Sequence, residues 1–288
     1  MKKHWIRKAI KIIGWTLLIL VVVLSYLLYR FTSPITDDDI IENFEGETYQ
    51  AHISYENFKD YKVRVIHMQK EIDKKLPILF FVHGSPGSSM DFQRYMKSEA
   101  LNKAANIISY DRVGYGYFDT GEVLNSLEDE LALMHQLLQG MDSKKVVLVG
   151  YSYGGTLIMA SNKDYKKKIA LAAAVRGDLE PMFWVINLYK WRLTRPIVPK
   201  VFKGATIEKL RHLTELKAYK NKWNISPSQV LSIHGKEDYI VPIENSIFLD
   251  SLFNGDKFSL ITLENGNHSL IWSNFKLIEA ELLKSIKE

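Results

Sequence analysis

Residues 146–160 read VVLVGYSYGGTLIMA. The apolar run that opens this segment has no polar alternation, so it describes a strand buried on both faces, as strands of a parallel sheet are. Gly150, Ser152, Gly154 and Gly155 follow at once, and a second apolar stretch of helical character comes after them. Glycines at such a junction permit a sharp turn from strand to helix, leaving Ser152 exposed on an elbow beside the positive end of the helix dipole. G-x-S-x-G is short enough to arise by chance, and its placement between strand and helix is what gives it weight.

Further unbroken apolar runs lie at 78–82, 107–110, 169–175, 230–233 and 258–263. Helical patterns separate them. One is NSLEDELALMHQLLQGM at 125–141, with Leu127, Leu131, Met134 and Leu138 on one face and Asn125 or Ser126 as cap; another is SLIWSNFKLIEAELLKSIK at 269–287. The alternation predicts an α/β fold, a mostly parallel twisted sheet with helices on both faces and right-handed crossovers. Residues 50–55 and 62–69 predict an antiparallel amino-terminal hairpin turning at 56–61. Between 178 and 228 the alternation stops, and a Trp-, Arg-, Lys- and Pro-rich insert reads as a small helical cap over the end of the sheet.

A serine hydroxyl is a poor nucleophile at neutral pH, so it needs a histidine to take its proton and a carboxylate to orient that histidine. His4 lies beside the apolar amino-terminal segment, His52 and His67 in the hairpin, His135 on a helix, His212 in the insert and His234 inside a buried strand. His268 follows the last strand on the Gly/Asn loop of LENGNHSLIW, where an imidazole can reach over the sheet edge. For the acid, Asp238 ends SIHGKED at the same edge, with Glu237 aimed elsewhere; Asp178, at the end of an earlier strand, competes with it.

The order Ser152, Asp238, His268, with HGSPG at 83–87 and DRVGYG at 111–116, resembles the α/β-hydrolase fold family over residues 50–288. That resemblance implies a serine hydrolase that needs no cofactor or metal, with an oxyanion hole built from the backbone N–H groups of Tyr153 and Ser85. HGSPG is similar to the HGGPG of proline iminopeptidases, with Ser85 in place of a glycine. Serine at 152 departs from the haloalkane dehalogenase and epoxide hydrolase branches, which use an aspartate there. Ser85–Pro86 is a candidate for a cis bond.

The chain has 288 residues, 47% hydrophobic and 25% charged, proportions that exclude a wholly disordered or coiled-coil protein. With no cysteine it has no disulfide, thiolate metal site or cysteine nucleophile. Its net charge of +5 is concentrated at the amino end: residues 1–30 carry six Lys/Arg and no acid, leaving 32 cations against 33 acids in the body. Nucleic acid is therefore not an expected partner. Residues 12–29 are 18 residues without a charge, with Trp15 toward one end and Tyr26, Tyr29 and Phe31 toward the other. As a helix they span about 27 Å, close to a bilayer core. Five cations precede them and none follows Arg30 until Lys59, which predicts a single-pass anchor in the cell membrane with its amino terminus cytoplasmic and the catalytic domain outside. Residues 1–31 then form the anchor, 32–48 an acidic, solvated tether and 49–288 the catalytic domain.

Within 178–228 stand ten Lys/Arg and four Asp/Glu. The insert reads as amphipathic helices whose Lys and Arg meet solvent and whose aromatics form the cap core; the alternative is an apolar pocket roof with a basic outer face near anionic membrane lipid. The expected substrate is a small acyl ester; a short peptide is the alternative, in which Asp178, Glu180, Glu208 or Glu215 would hold the peptide's amino group.

Overall fold

The structure is a computed structural model that describes residues 2–253 and 255–288; the side chains of Lys2, Lys3, His4, Phe31 and Asp256 lie outside the described set. Eight strands form one sheet: β1 (His52–Phe58), β2 (Tyr61–His67), β3 (Ile78–Val82), β4 (Asn106–Tyr110), β5 (Val146–Tyr151), β6 (Lys167–Leu171), β7 (Gln229–Gly235) and β8 (Phe258–Leu263). Their order is β1-β2-β4-β3-β5-β6-β7-β8. β1, β2 and β4 pair antiparallel, and all other neighbours pair parallel.

Eleven α-helices are described: α1 (Lys2–Thr32), α2 (Asp37–Phe44), α3 (Gln93–Met96), α4 (Glu99–Ala104), α5 (Leu127–Leu137), α6 (Tyr153–Ala160), α7 (Ile186–Lys190), α8 (Lys200–Tyr219), α9 (Glu244–Leu252), α10 (Leu270–Ser273) and α11 (Phe275–Lys287). Successive strand residues point to opposite faces, so each unbroken apolar strand feeds two cores. Ile78, Phe80 and Val82 pack with α5, α6 and α9 on one face. Leu79 and Phe81 pack with α2, α3, α4 and α11 on the other. The order reverses around β3, whose neighbours β4 and β5 lie on opposite sides. At such a switch point the carboxyl ends of the strands frame a crevice.

Four local expectations differ from the structure. The hairpin turns only at Lys59 and Asp60, with Phe58 paired to Tyr61; Lys59 at φ 52° makes the tight reversal, so β1 runs through residues 56–58. β6 ends at Leu171 rather than 175. Ala172, at φ 49°, leaves the extended region, and side chains then satisfy the buried loop backbone: Thr156 Oγ1 donates to Ala174 O at 2.5 Å and Asn245 Oδ1 accepts from Val175 and Arg176 N–H at 2.9 Å. The last helix breaks at Asn274 (φ −111°, ψ 30°), between α10 and α11. There Tyr95 Oη and Arg94 Nη1 take the carbonyls of Ile271 and Trp272 that a continuous helix would use.

The fourth difference concerns the acidic segment. Instead of a solvated tether, residues 37–44 form α2, opened by a capping box between Thr36 and Asp39. Ile40 and Phe44 are fully buried against the sheet. Arg64 on β2 ties the segment down by donating to Ile35 O at 2.8 Å and to Asp37 at 2.9 Å. Its other partner is Asp111, at 2.8 Å. The carboxylates that make 32–48 look solvated thus include one held by a buried arginine.

Within Trp5–Arg30 of α1 an 18-residue stretch has a mean hydropathy of 2.4, and the helix is long and apolar enough to cross a membrane.

Candidate active site

Ser152 stands between β5 and α6. Its φ of 53° and ψ of −116° are unusual for a residue with a Cβ. The surrounding glycines supply space rather than positive φ. A Cβ on Gly154 would lie 2.0 Å from Val82 O, and one on Gly150 would lie 2.3 Å from Gly154 O. The strand-to-helix turn is therefore packed directly against the end of β3. The Ser152 N–H donates to Leu171 O at 2.9 Å, which holds the elbow to β6 while the hydroxyl stays on the cavity side.

His268 arrives from the loop after β8 and Asp238 from the loop after β7. A Cβ on Gly235 would sit 2.2 Å from Gly266 O, so glycine at 235 is what lets the two loops touch. Glu237 N–H donates to Gly266 O at 2.8 Å and fastens them; the Glu237 side chain is exposed. His268 Nδ1 lies 2.7 Å from Asp238 Oδ2, and Nε2 lies 3.1 Å from Ser152 Oγ. Tyr151 Oη donates to His268 O at 2.8 Å and its ring packs beside the imidazole. Burial alone would raise the Asp238 carboxyl, but hydrogen bonding to His234 and His268, with the Val241 N–H at 2.8 Å, holds it well below the usual carboxylate range. Asp238 is thus charged throughout the neutral range. It can hold the imidazole with a proton on Nδ1 and Nε2 free to accept one from Ser152.

The other candidates are occupied elsewhere. His234 is fully buried, with Ser246 Oγ at 2.6 Å and Val241 O at 2.8 Å. His135 bonds Ser161 and His67 faces Ser54. Asp178 is exposed and paired with Arg176. Glu215 accepts from the Leu127 N–H at 2.8 Å. Glu180 lines the cavity but is paired with Lys209, with His212 Nδ1 at 3.8 Å. Burial opposes its ionisation, yet these neighbours hold it below its ordinary value.

Glu208 is committed to a buried network that the sequence reading missed. The Arg112 guanidinium bonds Glu208, bonds Glu130 at 2.8 Å and reaches Gly84 O at 3.1 Å. Tyr115 Oη donates to Glu208 at 2.6 Å and lies 2.7 Å from Ser85 Oγ. The Arg112 N–H donates to His83 Nε2 at 2.8 Å, so the proton of His83 sits on Nδ1, facing Gly84 O at 2.8 Å. Burial, reinforced by Arg112, pushes His83 down to about 3 and keeps it neutral. The HGSPG loop is therefore tied through Arg112 and Tyr115 to the cap helix α8. Its Ser85–Pro86 bond is cis. Among the described residues the Ser85 N–H has no backbone acceptor, and Tyr153 is the first residue of α6, where an N–H has no intrahelical partner. Glu208 lies on the buried face of α8 with Gly204, His212 and Leu216, a face that only the packing reveals.

Ser152, His268, Ser85 and Tyr153 line a cavity of about 720 Å³ roofed by the insert. Among the described residues no cluster of three or more His, Asp or Glu could hold a metal ion.

Residues 79–278 match the model of the alpha/beta hydrolase family. The sequence has no match among curated proteins. Among solved structures, the chain is similar to a lipase-esterase related protein from Clostridium acetobutylicum, at 19% identity over 77% of this chain and 98% of that one, with a TM-score of 0.61. It is also similar to an alpha/beta hydrolase from a Medee basin deep-sea metagenome library, at 15% identity over 82% and 98% with a TM-score of 0.60. The thioesterase domain of the curacin biosynthetic pathway follows at 14% identity over 81% and 99%, with a TM-score of 0.58. At these identities the likeness is one of fold. The family match runs from β3 into α11 and takes in strands β3 to β8, the elbow and the cap, so the chain belongs to the alpha/beta hydrolase family.

Proposed function

We propose that this chain is a membrane-anchored serine hydrolase that cleaves carboxylic esters through an acyl-enzyme on Ser152. The observation that carries the reading is the continuous hydrogen-bonded line from Ser152 Oγ through His268 to Asp238, 3.1 and 2.7 Å long. As Ser152 Oγ attacks the ester carbonyl, His268 Nε2 takes its proton and Asp238 stabilises the imidazolium. The carbonyl oxygen becomes an oxyanion facing the N–H groups of Ser85 and Tyr153, each such donor typically supplying about 3 kcal/mol at the transition state. Collapse breaks the bond to the alcohol, which receives the proton from His268. Water then attacks the acyl carbon as His268 takes its proton; the acyl–Oγ bond breaks, Ser152 Oγ recovers the proton from His268 and the acid leaves. The lipase-esterase and thioesterase neighbours support acyl transfer as the class of chemistry.

An aminopeptidase would need a free carboxylate to receive an ammonium group, and the carboxylate that lines the cavity, Glu180, is already paired with Lys209. In the proposed topology α1 is the anchor, with its amino end in the cytoplasm and the body outside. The experiment is labelling of the full chain with a fluorophosphonate probe, followed by turnover of nitrophenyl acyl esters and aminoacyl arylamides. Labelling lost in Ser152→Ala and turnover of esters alone are expected. Preference for arylamides would favour a peptidase, and absence of labelling would indicate a silent fold that only binds. For the topology, a reporter fused after Glu288 should be active only outside the cytoplasm.

A further inference from the structure

The end of α1 and the exposed rim of the cap belong to one surface. α1 ends at Thr32 and the docked α2 is capped by Thr36. Four residue steps reach at most about 14 Å when fully extended, and Arg64 fastens the intervening Ile35 carbonyl to the body. A body tied this closely cannot stand off from the membrane that holds α1. Leu28, in the last turns of α1, lines the same cavity as Ser152 and His268. The mouth of the active site therefore adjoins the point where the chain leaves the bilayer.

At that mouth the cap exposes apolar side chains: Phe183, Val185 and Ile197 also line the cavity, while Trp184, Trp191 and Leu193 lie outside it. Trp184, Leu193 and Ile197 are 72, 92 and 76% exposed, and Phe183, Val185 and Trp191 are exposed with them. So many large apolar side chains within fifteen residues mark an interaction surface rather than scattered exceptions. The charge is one-sided too: residues 181–207 contain Lys190, Arg192, Arg195, Lys200 and Lys203 and no acid. Aromatic and aliphatic tips interleaved with cations suit an anionic lipid surface, where the tips enter the headgroup boundary and the cations meet phosphate.

Resting on the hydrolase and anchor reading above, we propose that the cap rim seats on the membrane that holds α1 and opens the cavity toward it. The substrate would then be a long-chain acyl ester resident in the bilayer, its chain passing between Leu28 and the cap and its carbonyl reaching Ser152 without crossing bulk water.

Because the chain has no cysteine, single-cysteine variants can report position directly. The full chain carrying an environment-sensitive fluorophore at Leu193→Cys, or at Lys75→Cys on the amino edge of the sheet as reference, is reconstituted in phosphatidylglycerol–phosphatidylcholine vesicles containing doxyl-labelled lipid. Quenching at 193 should be at least threefold that at 75, and equal quenching would overturn the seat. Concentration-dependent crosslinking through 193 in detergent without lipid would assign the rim to a second copy and also overturn it. In the activity arm, the Trp184→Glu/Leu193→Glu variant should lose at least tenfold on monooleoylglycerol in vesicles while keeping wild-type turnover of soluble nitrophenyl butyrate and fluorophosphonate labelling. Equal retention of both activities would overturn the substrate class. Wild-type protein that neither labels nor turns over either ester would overturn the hydrolase reading, and the substrate class with it; the quenching result would still decide the seat by itself.

Discussion

Ser152 carries a backbone conformation that costs a residue with a Cβ about 1–3 kcal/mol, and it is the one residue in the elbow motif that cannot be glycine if it is to act as nucleophile. Two replacements separate strain from chemistry. Ser152→Ala should lose nearly all ester turnover and melt close to wild type, since the strain remains. Ser152→Gly should be equally inactive yet melt higher than the alanine variant by roughly 2–8 °C, relief of strain outweighing the added freedom of the unfolded chain. Identical melting curves for the two variants would show that the elbow stores no strain. The residues of the proposed triad were legible because each follows a strand whose apolar run ends abruptly in Gly, Asp or Asn, and the parallel sheet brings such ends to one edge. Arg112, Glu130 and Glu208 were not legible. Glu130 and Glu208 come from two helices and Arg112 from the loop after β4, and charged residues within amphipathic helices read as solvent-facing until the tertiary packing shows the faces on which Glu130 and Glu208 lie.

At the level of elements, the central strands were readable because burial on both faces leaves only apolar residues in register. Where burial continued without extended backbone, at 172–175, composition could not mark the end of β6. Lys168, the second residue of that strand, is fully buried with its Nζ donating to Ser161 O at 2.5 Å. Burial pushes this lysine down to about 7 from its ordinary 10.5. Above about pH 10.5 it is neutral in both the folded and the unfolded chain. Between there and about 7 only the unfolded chain takes the proton, so stability falls as pH falls, by at most about 1.4 kcal/mol per unit. Below 7 both states are protonated and the loss is constant. Lys168→Met, which keeps the volume and removes the titration, should melt with less pH dependence than wild type between pH 7.5 and 9.5. An unchanged slope in denaturant titrations at those two values would contradict the assignment.

For the whole molecule, the acidic residues of 32–48 concealed an apolar face, because Ile40 and Phe44 are four apart in a segment dominated by carboxylates. The folded body consequently begins before residue 49. A chain starting at residue 33 should fold and keep ester turnover. One starting at residue 49 loses the burial of Ile40 and Phe44, about 1.5–3 kcal/mol each, and leaves Arg64 short of a partner; it should melt at least 8 °C lower or fail to fold by circular dichroism. Equal melting of the two would mean that α2 is only a tether. The fastening of α8 has a consequence for motion. Shifting that helix would separate Glu208 from Arg112 inside the protein, at a cost of about 3–5 kcal/mol. Among the described residues the segment 181–199 has no such link, for its side-chain hydrogen bonds, from Thr194 and Arg195, stay within itself. The cap therefore combines a helix fixed by a buried ion pair with a segment that lacks one, and that segment should open more readily. Amide hydrogens of 186–197 should exchange at least a hundredfold faster than those of 205–216, and binding that closes the segment should slow only the first set.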